Sequence, residues 1–160
     1  MDVLLDNIYT LHPADSKTNV CIDVPVTRDY AWLEMKCSYA PKVLEDEERA
    51  RKLIEEGIER YVPAEFKDQC GDWREYLPVV SLITISLDYK NRYIGCAHRH
   101  HKEQRHVISE NFSSPGFFKQ AVLAGNWRAV INVHYVANDN VDYHLIINAY
   151  GKDDKPYDSV

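Results

Sequence analysis

Hydrophobic and polar residues alternate with a period of two along much of this chain. The alternation is clearest over residues 30–39, 127–136 and 141–149, where almost every second side chain is apolar. Successive side chains of an extended strand point to opposite faces, so each segment is predicted to be a strand with one buried face. Shorter apolar runs predict further strands at 20–26, 79–88, 92–100 and 106–110.

The last two of the clearest segments flank the polar sequence Asn138–Asp139–Asn140, which is typical of a turn. We therefore expect 127–136 and 141–149 to pair with each other as a β-hairpin. Their apolar positions would then share one buried surface, with the polar positions facing solvent.

A helical period is convincing in one stretch, residues 44–61. Acidic residues occupy its first turn, where they suit the positive end of the helix dipole, and Pro63 follows its last turn. The apolar positions of this predicted helix are Ala50, Leu53, Ile54, Ile58 and Tyr61.

The order of these elements predicts an all-β, mainly antiparallel fold. Many short strands separated by turn residues are typical of a two-layer β-sandwich of the jelly-roll or immunoglobulin-like type. Alternating strands and helices do not occur, which argues against a parallel sheet. We expect one sandwich domain over residues 1–150 with one inserted helix near 44–61, followed by a flexible tail over 151–160.

Composition and charge argue against several classes of protein. The chain has 160 residues, with 19 lysines and arginines and 25 aspartates and glutamates, so its net charge is −6. Nucleic acid is a poor partner for an acidic protein, because contacts to phosphate supply most of that affinity. No apolar run is long enough to span a membrane, and the acidic N-terminus is unlike a secretion signal, so a cytoplasmic location is expected. The four cysteines have no C-x-x-C spacing and are expected to be free thiols.

One segment departs from this acidic average. Residues 90–106 hold five lysines and arginines, four histidines and a single glutamate. A local basic patch on an acidic protein is compatible with a small anionic ligand. The alternative is a solvated loop of mixed charge, and the sequence leaves both open.

The histidines of this segment could also hold a divalent metal ion. If the segment is extended, His98 and His100 point to the same face, roughly 7 Å apart. A third ligand would come from a neighbouring strand, for which His134 and Glu110 are candidates. The spacing permits zinc or iron without requiring either. The alternative is that His98 and Arg99 are hydrogen-bonded structural residues.

Apolar side chains follow at the turn Ser114–Pro115–Gly116–Phe117–Phe118. Beside the basic patch they could form the wall of a small-ligand pocket. Equally, Phe117 and Phe118 could close the end of the sandwich. Trp32 lies opposite the predicted buried face of its strand, so it is the better candidate for an exposed ring that stacks on a sugar.

Several motifs together resemble those of a known module. The set is similar to the β-sandwich module that precedes PHP-type metal-dependent phosphoesterase domains in Firmicutes-like bacterial proteins. The final segment, from Ala124 to Leu145, also resembles the ending of bacterial pre-peptidase C-terminal domains. The motifs include Asp23–Val24–Pro25, Cys37–Ser38–Tyr39–Ala40–Pro41, Gly95–Cys96–Ala97–His98–Arg99–His100, Ser114–Pro115–Gly116–Phe117 and Ala124–Gly125–Asn126–Trp127.

The resemblance implies a sandwich fold and an accessory role. A PHP domain carries its own run of histidine, aspartate and glutamate metal ligands, and this chain does not contain that run. Phosphoesterase activity is therefore not implied. The resemblance also gives no role to His98, Arg99 or the turn at Pro115.

We expect a non-catalytic ligand-binding or interaction module. Its partner would be a small anionic or sugar-like ligand or another protein, and an exposed sheet edge would allow a homo-oligomer. No cofactor is expected other than a divalent metal ion. The alternative is a metal-dependent hydrolase that uses His98, His100 and His134. The predicted binding residues are His98, Arg99, His100, Glu110, Pro115, Phe117 and His134.

Overall fold

The computed structural model describes residues 1–98 and 101–154 of the protein. Two sheets of four strands each form its framework. The strands are β1 (Asp2–Leu11), β2 (Thr18–Val26), β3 (Trp32–Ala40), β4 (Leu82–Tyr89), β5 (Arg92–Ala97), β6 (Glu103–Ser109), β7 (Gly125–Tyr135) and β8 (Val141–Tyr150). The helices α1 (Glu47–Tyr61) and α2 (Ala64–Lys67) lie between β3 and β4, and short 3-10 turns occupy Pro13–Asp15 and Trp73–Tyr76.

Strand pairing joins the two ends of the chain. Sheet A has the order β1-β8-β3-β6 and sheet B has the order β2-β7-β4-β5, and all pairs are antiparallel. The first strand thus pairs with the last, the second with the seventh, and so on inward to β4 and β5. This is the pairing of a jelly roll, in which a long antiparallel ribbon folds over into two layers. The predicted all-β, two-layer antiparallel sandwich is confirmed, and the strand order favours its jelly-roll form.

The main core lies between the sheets and is built from the alternating apolar positions. Removing these side chains from water is the main favourable contribution to folding. Trp127 is completely enclosed, and its indole N–H donates to the carbonyl of Leu123 at 2.9 Å. The buried positions predicted from the alternation are confirmed for Leu33, Met35, Cys37, Tyr39, Trp127, Ala129, Ile131, Val133, Val141, Tyr143, Leu145 and Ile147.

The predicted hairpin between the last two strands is wrong. β7 belongs to sheet B and β8 to sheet A, so the connection between them crosses from one layer to the other. Val136 and Ala137 in this connection are buried, and the Ala137 N–H donates to Ser81 Oγ at 3.0 Å. Both sheets bury one face against the same core, so alternation identifies the buried face of a strand but not its partner.

The first strand, β1, was not predicted from the sequence. It pairs with β8 along Asp2–Leu11, with a register shift between Val3 and Leu5. That shift interrupts the alternation, and Val3 and Ile8 are exposed because β1 is the edge of sheet A. The opposite edge is β6, and the edges of sheet B are β2 and β5. Self-association through one of these edges remains a prediction.

Several element ends differ from the predicted ones. The helix α1 begins at Glu47 rather than near residue 44, because the side chain of Asp46 accepts the N–H of Arg49 at 3.0 Å and caps the helix. The strand β5 ends at Ala97, so the predicted strand 92–100 is shorter, and Arg99 and His100 lie outside the described residues.

Only the beginning of the predicted tail is described. Its Asp154 carboxylate lies 2.9 Å from the N-terminal amine of Met1 and accepts the N–H of Gly151 at 2.7 Å. Residues 155–160 lie outside the described part. Every helix within that part is too short or too polar to cross a lipid bilayer.

Trp32 is buried, which corrects the prediction that its ring is exposed. Only 4% of the residue is accessible, although its side chain is on the outer face of sheet A. Tyr150 is directly opposite Trp32 in the register of β3 and β8, and the two rings stack with centroids 3.6 Å apart and planes 1° from parallel. With Val107 they form a small second hydrophobic cluster.

A buried carboxylate lies beside this cluster on the same outer face. Glu34 has no accessible surface, and each of its two oxygens is occupied. Cross-strand register places its neighbours on β6 and β8 on the same face, within reach of the carboxylate. Its donors are Arg105 Nε at 2.5 Å, Tyr150 Oη at 3.0 Å, Asn148 Nδ2 at 3.1 Å and Lys36 Nζ at 3.2 Å.

These donors decide the ionisation state of Glu34. Burial alone raises the pKa of a carboxyl group, but the hydrogen bonds outweigh this effect and lower the pKa of Glu34 from 4.5 to about 2. The folded state therefore stabilises the ionised form of Glu34 more than the unfolded chain does. The resulting stability is complete above pH 4.5 and is lost as the pH falls toward 2.

We expect Glu34→Gln to lower the free energy of unfolding at pH 7 by about 3 kcal/mol, because it leaves Arg105 and Lys36 without their anionic partner. The variant should also lose less stability than the wild type between pH 4.5 and pH 2. Urea denaturation at both ends of this range measures the two effects. Glu55→Gln removes an exposed pair with Arg51 and should change stability by less than about 1 kcal/mol. Equal losses in the two variants would contradict the role of Glu34.

Candidate functional site

The residues predicted to form a binding site are distributed over several parts of the fold. His98 and His134 lie at sheet B, Glu110 and Pro115 lie on the connection that follows β6, and Phe117 is in the core. Arg99 and His100 are outside the described residues. Among the described residues, the structure therefore links His98 with His134 and places Glu110, Pro115 and Phe117 elsewhere.

His98 and His134 are linked by a polar network on the outer face of sheet B, which we call the Cys96 cluster. It consists of Thr84, Cys96, His98, Asn132 and His134. The register of β4 with β5 and β7 places Thr84 opposite Asn132 and places Cys96 opposite Ser86. Directly opposed residues share a face, which brings these side chains together outside the core.

The contacts run through Thr84 and Cys96. Thr84 Oγ1 and His134 Nε2 share a hydrogen bond of 2.9 Å. The Cys96 thiol donates to Thr84 Oγ1 at 3.7 Å, and its sulfur lies 4.0 Å from His98 Nδ1. Asn132 Nδ2 lies 3.9 Å from the same sulfur. Burial raises the pKa of the Cys96 thiol, and the hydrogen bond with Thr84 offsets part of this rise.

The predicted three-histidine metal site stays a prediction. His134 uses its Nε2 to contact Thr84, and His98 contacts Cys96, so the cluster supplies two of the three proposed ligands. The third, His100, lies outside the described residues. Within those residues, no group of three or more histidine, cysteine, aspartate or glutamate side chains is arranged to hold a metal ion.

Phe117 closes the core and does not line a pocket wall. It is 7% exposed, and its ring packs 5.2 Å from that of His106. The alternative in which Phe117 and Phe118 both close the end of the sandwich is therefore right for Phe117, which is in the core, and wrong for Phe118, which is exposed. Pro115 is exposed and borders a small cavity of about 230 Å³ that also contacts His101 and Arg105.

Glu110 is also exposed and borders a different cavity, of about 560 Å³. That cavity lies at the end of sheet A, where Trp32 and Ser109 also line it. Glu110 is therefore not part of the Cys96 cluster, although the sequence grouped it with His98 and His134.

A third cavity, which we call the cationic cleft, adjoins His134. It has a volume of about 540 Å³ and lies between α1, the end of β7 and the turn before β2. Of its lining residues, only His134 was predicted from the sequence to be a binding residue. The side chains that define it are Lys17, Arg49, Leu53, Arg60, Tyr61 and His134.

The turn before β2 fixes one wall of the cationic cleft. Lys17 has a φ of 67°, a left-handed conformation that reverses the chain after the 3-10 turn. Its N–H donates to the carbonyl of Val133 at 2.7 Å, and Ser16 Oγ accepts the N–H of Val136 at 3.0 Å. These two bonds hold the turn against the end of β7.

The helix α1 forms the opposite wall. Arg49, Leu53 and Arg60 are separated by four and seven residues, which places them on one face of the helix. Gly57 lies on the same face, and a Cβ added there would meet no atom within 4 Å. The helix therefore has open space beside Gly57.

The charges that line the cationic cleft are all positive among the residues described. Tyr61 is 65% exposed, and its ring is flanked by Lys17 Nζ at 5.8 Å and Arg60 Cζ at 5.4 Å. Arg49 Nη1 is 2.5 Å from Asp139 Oδ1, an exposed carboxylate outside the lining. Burial raises the pKa of Tyr135 at the cleft wall, the positive charge of Arg49 opposes this rise, and the Glu56 carboxylate, which is outside the lining, adds to it.

Sequence reasoning could have found only part of this cleft. The spacing of Arg49, Leu53 and Arg60 is visible on the predicted helix. Lys17 and His134 come from distant parts of the sequence, and only the packing of the turn and of β7 against α1 brings them together. No local pattern carries that information.

No protein-family model matches the chain, and no curated protein is significantly similar to it. The resemblance to the module that precedes PHP-type domains therefore remains a prediction. A proposal for the function must therefore be argued from the geometry of the Cys96 cluster and the cationic cleft.

A close backbone contact supports both Pro115 and the strand that carries Cys96. Gly95 has a φ of 145° and Gly116 a φ of 98°, and the two segments pair here in antiparallel fashion through an isolated bridge between Gly95 and Phe117. A Cβ at Gly95 would overlap the carbonyl oxygen of Gly116 and lie 2.5 Å from the Cα of Phe117. Only glycine permits this approach.

We expect Gly95→Ala to destabilise the protein by about 3 kcal/mol, since backbone must move to accept the methyl group. Gly57→Ala is the matched comparison, because it adds the same group in open space within a helix. It should stabilise the protein by about 1 kcal/mol. Thermal or urea unfolding of both variants measures the difference in stability. A Gly95→Ala variant as stable as the wild type would rule out the close backbone approach at Gly95.

Proposed function

We propose that this protein is a non-catalytic module that binds a small anionic ligand in the cationic cleft. The observation that carries the proposal is the convergence of Lys17, Arg49, Arg60 and His134 on one cavity. The protein as a whole has a net charge of −6, so a cavity lined by a lysine and two arginines differs from its average surface.

The residue types suit recognition of carboxylate or phosphate groups. An arginine offers up to five N–H donors in a planar fork, and it matches two oxygens of one anionic group. Arg49 and Arg60 approach the cleft from one helix face, and Lys17 approaches from the opposite wall. Because Arg49 Nη1 pairs with Asp139 Oδ1, an anion in the cleft would draw its donors chiefly from Arg60 on the helix and from Lys17 on the opposite wall. Salt bridges of this kind weaken at high ionic strength where they are exposed.

The remaining lining favours a small organic anion. Leu53, Val136 and Ala137 supply apolar surface, and the exposed ring of Tyr61 lies at the margin. Small-molecule sites are commonly concave, mostly apolar and equipped with a few polar groups, with volumes of roughly 300–1,000 Å³. A cavity of about 540 Å³ falls in that range.

The groups in the cationic cleft are suited to binding and not to proton transfer. Guanidinium and ammonium groups stay protonated near neutral pH and present donors without an acceptor. The His134 imidazole has its Nε2 hydrogen-bonded to Thr84. This arrangement supports the non-catalytic role over the hydrolase alternative.

We expect citrate and inorganic phosphate to raise the melting temperature of the full chain, and a neutral sugar such as glucose to leave it unchanged. Arg60→Gln should weaken citrate binding about tenfold, through loss of one charge-assisted contact worth about 1.5 kcal/mol. Isothermal titration at low and high salt measures both the affinity and its ionic-strength dependence.

Arg51→Gln is the matched control, because Arg51 lies on the same helix but pairs with Glu55 outside the cleft. It should bind citrate as the wild type does. Equal affinities for the Arg60→Gln and Arg51→Gln variants would overturn the cationic cleft as the site. Stabilisation by glucose alone would favour the sugar-like ligand instead.

A further inference from the structure

A second site, separate from the cationic cleft, lies around the sulfur of Cys96. From its geometry we infer that Cys96 and His98 together bind one soft monovalent cation, copper(I), at the outer face of sheet B. The sulfur and His98 Nδ1 are 4.0 Å apart, and the two residues are separated by one position at the end of β5. His134 belongs both to the cleft lining and to the Cys96 cluster, but Cys96 and His98 do not line the cleft, so metal binding can fail without loss of anion binding.

The distance between the two ligand atoms indicates the type of ion. With metal–sulfur and metal–nitrogen bonds of about 2.3 and 2.0 Å, two tetrahedral ligand atoms would be about 3.5 Å apart and two collinear ones about 4.3 Å apart. With these bond lengths, the separation of 4.0 Å corresponds to an angle of about 140° at the metal, which is wider than the tetrahedral angle. A wide angle favours an ion of low coordination number.

The donor set agrees with this inference. A thiolate prefers soft ions, copper(I) and zinc among them, and an imidazole nitrogen also binds copper. A structural zinc ion needs four ligands, whereas no cluster of three or more suitable side chains occurs within the described residues. Copper(I) bound by two ligands needs no third side chain, so it fits what the cluster offers.

The side chains around the Cys96 sulfur hold it in a defined position. Cys96 is 6% exposed, while His98 beside it is exposed, so an ion would enter from the side of His98. Thr84 Oγ1 and Asn132 Nδ2 contact the sulfur at 3.7 and 3.9 Å and fix its position. On binding, the thiol releases its proton to solvent, the sulfur–copper bond forms, and the oxidation state of copper does not change.

The test is an anaerobic titration of copper(I) against a chromogenic copper(I) chelator. The parent protein carries Cys21→Ser and Cys70→Ser, which removes the two cysteines that are not buried. We expect it to bind one equivalent of copper(I). Cys96→Ser should abolish this binding, and His98→Ala should weaken it at least tenfold. His101→Ala is the matched control, an exposed histidine nearby, and should bind as the parent does.

Two further measurements keep the outcome interpretable. Thermal unfolding of each apo variant shows that a loss of binding does not come from unfolding. Silver(I), a stable substitute for copper(I), should shift the imidazole NMR signals of His98 and leave those of His101 unchanged. Unchanged binding in Cys96→Ser would overturn the site, and so would a His98→Ala variant that binds as tightly as the parent.

Discussion

The pairing of strands from opposite ends of the chain is the constraint on which the rest of the structure depends. β1 meets β8 and β2 meets β7, so neither sheet can form until segments more than a hundred residues apart are adjacent. The apolar faces of both sheets then share one core, and this burial offsets the entropy lost on closing such long loops. Local contacts inside any one segment would not define this arrangement. The two outer faces and the connections between layers are consequences of it.

Both outer faces hold polar side chains that are buried without lying in the core. On sheet A, the Glu34 carboxylate is enclosed by donors from three strands, and on sheet B, Thr84 and Cys96 are enclosed by Asn132 and two histidines. A buried polar group destabilises a protein unless it has partners, so each cluster must form with correct geometry. The two clusters differ in one respect. Glu34 has all its acceptor oxygens occupied by charged and neutral donors, whereas the Cys96 sulfur has only weak contacts and an adjacent exposed imidazole.

The parts of the fold that could be predicted are those that depend on one strand at a time. Alternation identified the buried face of β3, β7 and β8, because a strand in either layer turns its apolar residues to the same core. Pairing depends on which strands meet in space, so the same alternation led to a wrong hairpin at Asn138–Asp139–Asn140. The site shows the same division. His98 and His134 were selected for their chemistry and do share one outer face, but Lys17, Arg49 and Arg60 were missed because no local pattern relates a turn near the N-terminus to a helix.

The connection between β3 and β4 explains why the cationic cleft and the Cys96 cluster meet at one end of sheet B. This connection, residues 41–81, is the longest between strands in the described chain, and it places α1 against the turn that precedes β2. The end of β7 lies between them, and His134 on this strand lines the cleft. His134 also shares a hydrogen bond with Thr84, and the Thr84 hydroxyl in turn contacts the Cys96 thiol. The jelly roll supplies the end of β7 and the turn with Lys17, and the inserted segment outside the strand framework supplies Arg49 and Arg60. The proposed binding site thus lies beside a connection outside the strand framework, where changes of length and sequence are tolerated better than in the shared core.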